Sequence, residues 1–198
     1  MAGKFIVFEG LDGSGQSTQV KLLAEYLRGQ GREVVLGKEP TQDSDAGREI
    51  VEVLTHKKKI SSEKLQELFV IDRKEHLANS ILPALQKGAI VVEDRYSMST
   101  FAFGSVSCDL EWLIELNQGL PWPDATFILK VRPEVSLARI ATRGKPEELF
   151  EKKEKLEKVS ITYDLLAQRF PNCFVIDGER SIEEVHAQVL QHLAGVLE

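Results

Sequence analysis

Between residues 10 and 18 the chain reads Gly10-Leu11-Asp12-Gly13-Ser14-Gly15-Gln16-Ser17-Thr18. Where such a stretch follows a strand and opens a helix, its glycines let backbone N–H groups turn toward phosphate at the positive helix end. A lysine ordinarily reaches the β- and γ-phosphates and a hydroxyl holds magnesium. Every position fits the Gly-x-x-x-x-Gly-Lys-[Ser/Thr] pattern except the lysine. Gln16 stands there, with an amide dipole and two donors but no charge. The N–H cradle survives this exchange, whereas a cation facing the transferring phosphoryl group is lost, typically at about 2.7–4 kcal/mol or 10²–10³ in rate. Lys38, Arg139, Arg143 and Lys145 are the candidates to supply the deficit, with Arg139 and Arg143 best placed if the segment after Arg143-Gly144 is a lid.

A second group of chemically capable residues ends a strand-like apolar run, Ile90-Val91-Val92-Glu93-Asp94-Arg95-Tyr96. Ligands of open α/β sheets collect at the carboxyl ends of strands, so this group should face the loop at residues 10–18. Arg95 suits bidentate recognition of phosphate, and Asp94 suits magnesium or its water shell. A surface ion pair is the plainer reading of the same residues. Phe69 and Arg73 lie four apart and share one helix face, an aromatic platform beside a guanidinium that suits a pyrimidine; a core phenylalanine beside a solvated arginine is the alternative. Glu39, before Pro40, is read as a magnesium ligand, a partner that orients Arg95, or a simple loop charge. His76 has no partner that the sequence names and reads as structural or exposed.

The elements that must position these residues alternate short β-branched runs with longer segments of helical period, the pattern of a parallel sheet covered by helices. Strands are expected at Phe5–Glu9, Glu33–Leu36, Ile90–Glu93, Thr126–Val131 and Cys173–Ile176. Helices are expected at Ser17–Arg28, Ala46–Leu54, Ser62–Leu82 with a bend or end near Pro83, Leu110–Asn117, Pro133–Thr142, Glu151–Gln168 and Ile182–Leu197. Gly29 and Gly31 suit a helix end, Pro133 suits a first helical turn, and Ser181 with Glu184 has capping-box spacing. The expected architecture is a three-layer α/β fold with a five-stranded parallel sheet. No repeat or linker divides the chain, so residues 1–198 read as one domain. The mixed-sign run Lys145–Lys158 reads as a solvated helix or as part of a lid at about residues 143–152.

Composition narrows the classes further. The 198 residues carry 25 basic and 31 acidic side chains, a net charge of −6, and the pI near 5.4 argues against a basic nucleic-acid footprint. Cys108 and Cys173 are too few for a disulfide framework and lack redox or zinc spacing. The apolar stretch at Phe5–Phe8 is shorter than a signal peptide's, and no run approaches the ~18 apolar residues of a membrane span. A cytoplasmic protein with neither nucleic-acid nor membrane partners is expected.

Taken in order, these motifs resemble the thymidylate kinase family of nucleoside monophosphate kinases. The resemblance is carried by Phe8 through Gly15, Lys38-Glu39-Pro40-Thr41, Leu68-Phe69 with Asp72-Arg73-Lys74-Glu75-His76, and Pro83-Ala84-Leu85. It continues through Asp94-Arg95-Tyr96 with Ser99-Thr100, Gly119-Leu120-Pro121 with Pro123-Asp124, Arg139 and Arg143-Gly144. It implies transfer of the γ-phosphoryl of ATP to the 5′-phosphate of dTMP with Mg²⁺ bridging phosphates, on an adenylate-kinase-like sheet in a homodimer. The residues Gly10, Gly13, Ser14, Gly15, Gln16, Ser17 and Thr18 would then cradle the donor phosphates, Arg139 and Arg143 would lie against adenine or those phosphates, and Ser17 and Asp94 would serve magnesium. Asp12 would bind the sugar side of the acceptor and orient its phosphate, and Arg95 would grip that phosphate. Phe69 would stack on thymine, Arg73 would hydrogen-bond it, and Tyr96 would sit under the deoxyribose, with Glu39, Pro40, Ser99 and Phe103 completing the pocket.

The chain departs from the family pattern at three places. Gln16 replaces the loop lysine; Gly13 and Glu147-Glu148 stand where a loop or lid arginine is usual; and Gly104 follows Phe103 where many bacterial members have a glutamine. The first two leave open a catalytically weak nucleotide-binding or regulatory homologue. The third leaves open a kinase for another deoxynucleotide or a deoxynucleoside.

Overall fold

The structure is a computed structural model that describes residues 3–142, 149, 150 and 152–197. Strands β1 (Lys4–Gly10), β2 (Val34–Lys38), β3 (Ile90–Asp94), β4 (Ala125–Lys130) and β5 (Cys173–Asp177) form one parallel sheet in the order β2-β3-β1-β4-β5. Each of the five expected strands is present, with no end displaced by more than two residues. Alternation along β1 feeds two cores. Ile6 and Phe8 pack with Val20, Leu23 and Leu27 of α1 (Gln16–Gly29) and with Val185, Val189 and Leu193 of α9 (Ile182–Leu197), whereas Phe5 and Val7 pack on the opposite face.

That opposite face is covered by helices α4 (Leu82–Gln86), α5 (Ser97–Gly104), α6 (Leu110–Leu116) and α8 (Lys153–Arg169), and α3 (Ser62–His76) packs against α5 and α6. Helices on both sides of the sheet complete the expected three layers. Helix α2 (Asp45–Leu54) packs against α3, and α7 (Pro133–Ala141) against α8.

Local chemistry sets several boundaries. Gly31 adopts φ +75 just after α1, while Gly29 ends the helix without a positive φ. Ser181 and Glu184 exchange backbone-to-side-chain bonds of 3.2 and 3.0 Å, the expected capping box at the start of α9. The long helix expected through Leu82 instead ends at His76 and passes through one π-helical turn, Leu77–Ile81, into α4. Pro83 has no N–H to return to the carbonyl four residues earlier, and its ring crowds that carbonyl, so the helix opens ahead of it. Helix α5 is absent from the expected elements. Seven of its eight residues are buried, so it shows no polar face and no period.

Register gathers the functional strand ends. Lys38 and Phe8 both lie opposite Asp94, and Gly37 and Val7 both lie opposite Glu93. Lys38, Asp94 and the start of the loop after Gly10 therefore emerge together at the carboxyl edge of the sheet.

Candidate active site

The loop Gly10–Thr18 connects β1 to α1 at that edge. Gly10, at φ +146, has no room for a side chain, because a Cβ there would lie 2.6 Å from the Leu129 carbonyl. Gly13, at φ +80, lets α7 press on the loop from behind, where Ser136 Oγ donates to the Asp12 carbonyl at 2.6 Å. Gln16 is buried and does not project from the loop. Its Nε2 donates to the Gly10 carbonyl at 3.2 Å and its Oε1 accepts from Ser14 Oγ at 3.0 Å, so the amide closes the loop on itself. Ser17 and Thr18 open α1 with exposed side chains.

Asp94 sits at the mouth of this loop. One of its oxygens, Oδ2, accepts from both Ser17 Oγ and Lys38 Nζ, the latter at 2.8 Å. Burial alone would raise its carboxyl pKa. The charges of Lys38 and Arg95 and the two hydrogen bonds outweigh it and hold Asp94 below the usual carboxylate range, ionised at neutral pH.

Arg95 links the loop to the facing wall. Its Nη1 donates to the Gly10 carbonyl at 3.0 Å and to Ser99 Oγ at 2.9 Å, its Nη2 donates to Asp12 Oδ1 at 2.9 Å, and its guanidinium lies 5.0 Å over the Phe103 ring. Burial works against its charge, but Asp12 and the neighbouring acids raise the pKa above the ordinary arginine value. Its backbone takes the left-handed φ of +77, uncommon for a residue other than glycine, and it is anchored there by its N–H on the Phe8 carbonyl at 2.9 Å.

Beneath Arg95 lies Glu9, which sequence reasoning did not single out. Its buried carboxylate accepts from the N–H groups of Tyr96 at 2.9 Å and Ser99 at 3.1 Å, from Ser99 Oγ and from Tyr163 Oη at 2.9 Å. Burial raises its pKa, against the opposing charge of Arg95 and these bonds. Tyr96 is wedged edge-on against Phe5 at 5.0 Å, and its hydroxyl donates to the Pro121 carbonyl at 3.1 Å.

Arg73 is buried and heavily bonded. Nε and Nη2 meet Glu39 Oε2 at 2.8 and 2.7 Å, Nη1 donates to Asn117 Oδ1, and Nη2 donates to Thr100 Oγ1 at 3.1 Å, while the guanidinium lies 5.0 Å over Tyr96. Four of its five N–H groups are engaged, which leaves one on Nη1 for another acceptor. Glu39 thus partners Arg73 rather than Arg95. The neighbouring Glu39–Pro40 segment is tied to α3 because Asp72 accepts from the Thr41 N–H at 2.8 Å and from the Thr41 and Ser44 hydroxyls. Phe69, on the same face as Arg73, is half-buried against the cluster of Ile50, Val53, Leu65 and Leu68.

His76 has close acidic neighbours, although its Nδ1 makes no hydrogen bond. Its two ring nitrogens lie 3.7 Å from Glu39 Oε1 and 3.6 Å from Glu93 Oε1. Both Glu93 oxygens are buried without a hydrogen bond, and the carboxyl presses on Gly37. Burial first, then the charges of Glu39 and Asp94, pushes the Glu93 carboxyl well above its ordinary value.

Arg139 lies behind the loop, with Nη1 donating to the carbonyls of Gly13 at 3.3 Å and Gly178 at 3.0 Å. It borders an open cavity of about 550 Å³ also lined by Arg132, Glu134, Val135, Ala138 and Thr142. Arg143, Lys145 and Glu147-Glu148, and with them most of the lid expected at 143–152, lie outside the described residues.

Among the described residues no group of three or more His, Cys, Asp and Glu side chains is arranged to hold a metal ion. One ionised carboxylate, Asp94, and one hydroxyl, Ser17, instead offer a small set of hard oxygen donors. That set fits magnesium, which keeps much of its water and takes its remaining ligands from phosphates. Gathered at one edge of the sheet are therefore a phosphate-cradle loop, an acid suited to magnesium and an arginine bonded to both walls of the cleft. A second arginine, with one N–H left for a further acceptor, lies over an aromatic ring.

Comparison with known proteins gives a consistent result. A family model described as Thymidylate kinase matches residues 8–189. The chain is 41% identical over 196 residues to a probable thymidylate kinase of Pyrococcus horikoshii, with 96% of this chain and 95% of that protein covered. It is 39% identical to a thymidylate kinase of Desulfotalea psychrophila, with 98% and 96% covered. Among solved structures it is similar to the thymidylate kinase of Candida albicans, with a TM-score of 0.84 and 26% identity over 98% of this chain and 92% of the other.

Proposed function

The chain belongs to the thymidylate kinase family, and from that premise we propose that it transfers the γ-phosphoryl group of ATP to dTMP, giving dTDP, at the site between the residue 10–18 loop and Arg95. The observation that carries the assignment of the site is Arg95 itself. One guanidinium nitrogen rests on the Gly10 carbonyl of the phosphate loop and the other on Asp12, so one cation spans the place where donor and acceptor phosphates must meet. Phosphoryl transfer asks a protein mainly for positioning and for charge aimed at the equatorial oxygens, and this group offers both.

In this reading the loop residues Gly13 through Thr18 cradle the donor phosphates, and the donor base lies toward the cavity beside Arg139. Asp12 and Arg95 hold the acceptor phosphate, with Ser99 fixing the Arg95 rotamer. Tyr96 supports the sugar. Phe69 and the remaining N–H of Arg73 face the base, and Glu39, Pro40 and Phe103 close the pocket. Asp94 and Ser17 would hold magnesium, in part through water; when bound, the ion supplies charge neutralisation along the phosphate chain. A homodimer in the cytoplasm belongs to the same reading. For the compartment, the free thiols of Cys108 and Cys173 suit a reducing environment.

An acceptor panel tests the assignment. With Mg-ATP as donor, phosphoryl transfer, read as ADP release, is expected to be fastest with dTMP, slower with dUMP and absent with thymidine. A preference for an unphosphorylated nucleoside would overturn the placement of Arg95 and Asp12 against an acceptor phosphate. Sedimentation velocity reads the oligomeric state, and a monomer at micromolar concentration would contradict the homodimer.

A further inference from the structure

Gln16 leaves the phosphate loop one positive charge short, and its inward amide has no free reach toward a ligand. Of the four cations that the sequence offered in its place, Arg143 and Lys145 lie outside the described residues, and Arg139 is bonded to two carbonyls behind the loop. Arg95 is held by Gly10, Ser99 and Asp12 on the acceptor side. Lys38 differs from both. It ends β2, directly opposite Asp94 in the sheet, and its ammonium bonds the same Asp94 oxygen that accepts from Ser17 at the head of α1. Its side chain is 61% exposed, and the Asp94 bond engages one of three ammonium donors, so two remain for a ligand. A positive charge thus stands at the mouth of the loop, one carboxylate oxygen away from the first hydroxyl of the cradle.

We propose that Lys38 is a catalytic residue that supplies, from the end of β2, the donor-phosphate charge that Gln16 does not. Asp94 holds the ammonium in place between turnovers, and the flexible lysine stem lets it follow the phosphate oxygens as negative charge develops on them. The inference rests on the kinase reading above but is testable apart from it.

The experiment is a cycle of four proteins: the unaltered chain, Lys38→Ala, Gln16→Lys and the double variant, with Lys38→Arg as the conservative control. Two readouts are taken, the initial rate of phosphoryl transfer and the affinity for ATP in the absence of metal, by calorimetry. With Gln16 present, Lys38→Ala is expected to lower the rate on the order of 10²–10³-fold and to weaken metal-free ATP binding, and Lys38→Arg is expected to retain most of both. With lysine at position 16 the loss caused by Lys38→Ala should shrink at least tenfold. A lysine that merely orients Asp94 would produce the same loss on both backgrounds, and that result would overturn the proposal, as would no loss on either. If the unaltered chain turns over nothing while ATP affinity follows the predicted cycle, the kinase reading and the catalytic role of Lys38 both fail, and only its placement against the donor phosphates stands.

Discussion

Arg73 on α3 and Glu39 beyond β2 meet at 2.7–2.8 Å with almost no exposure of either side chain. The pair is 34 residues apart in sequence and joins the wall that carries Phe69 to the strand that carries Lys38. A buried ion pair loses much of its Coulombic gain to desolvation, yet removing one member strands the other.

Arg73→Met is therefore expected to destabilise the protein by about 3–5 kcal/mol and to raise the KM for dTMP. Adding Glu39→Leu should return part of the stability by removing the stranded carboxylate, without restoring the KM. Urea unfolding of the two variants checks the first statement, and a double variant no more stable than Arg73→Met would contradict it.

Glu93 gives a pH-dependent prediction. Its pKa lies well above 4.5 in the folded chain, chiefly through burial. The folded state therefore holds the proton more tightly than the unfolded state. That contribution to stability is fully present below about 4.5 and is lost as the pH rises through the raised value. Each tenfold of added proton affinity corresponds to about 1.4 kcal/mol. Glu93→Gln, which cannot ionise, should be more stable than the unaltered chain at neutral pH, with the difference shrinking as the pH falls toward 4.5. Thermal unfolding across that range decides it, and a difference independent of pH would count against the burial of an ionisable Glu93.

Glu93 also constrains its neighbour. A Cβ on Gly37 would lie 2.0 Å from Glu93 Oε1 and 2.4 Å from Oε2. Gly37→Ala should cost roughly 1–3 kcal/mol through overpacking, and Glu93→Ser on the same chain should recover much of that cost. Additive costs in the double variant would show that the two sites do not touch.

Much of this site was legible in the sequence because its signals are local. The glycine-rich loop, the Asp94-Arg95-Tyr96 run and the Ser181–Glu184 capping box each announce themselves within a few residues, and the alternation of apolar runs laid out the sheet. What stayed hidden depends on pairing across the fold. Arg73 looks like a surface residue or a base reader until Asn117, 44 residues away, is brought beside it. Glu9 looks like the end of a strand until Tyr163, 154 residues away, donates to it. His76 lacked a partner because its neighbours arrive from β3 and from the end of β2. Helix α5 escaped notice because burial on nearly every side erased the periodicity that marks a helix.

The central claim is that this site transfers phosphate to dTMP although its loop carries Gln16. The most direct measurement is the initial rate of dTDP formation from Mg-ATP and dTMP by the unaltered chain, beside Gln16→Lys and Asp94→Ala. Turnover by the unaltered chain is expected to exceed that of Asp94→Ala by at least about 10²-fold and to change by less than about tenfold in Gln16→Lys. An unaltered chain no faster than Asp94→Ala would contradict it.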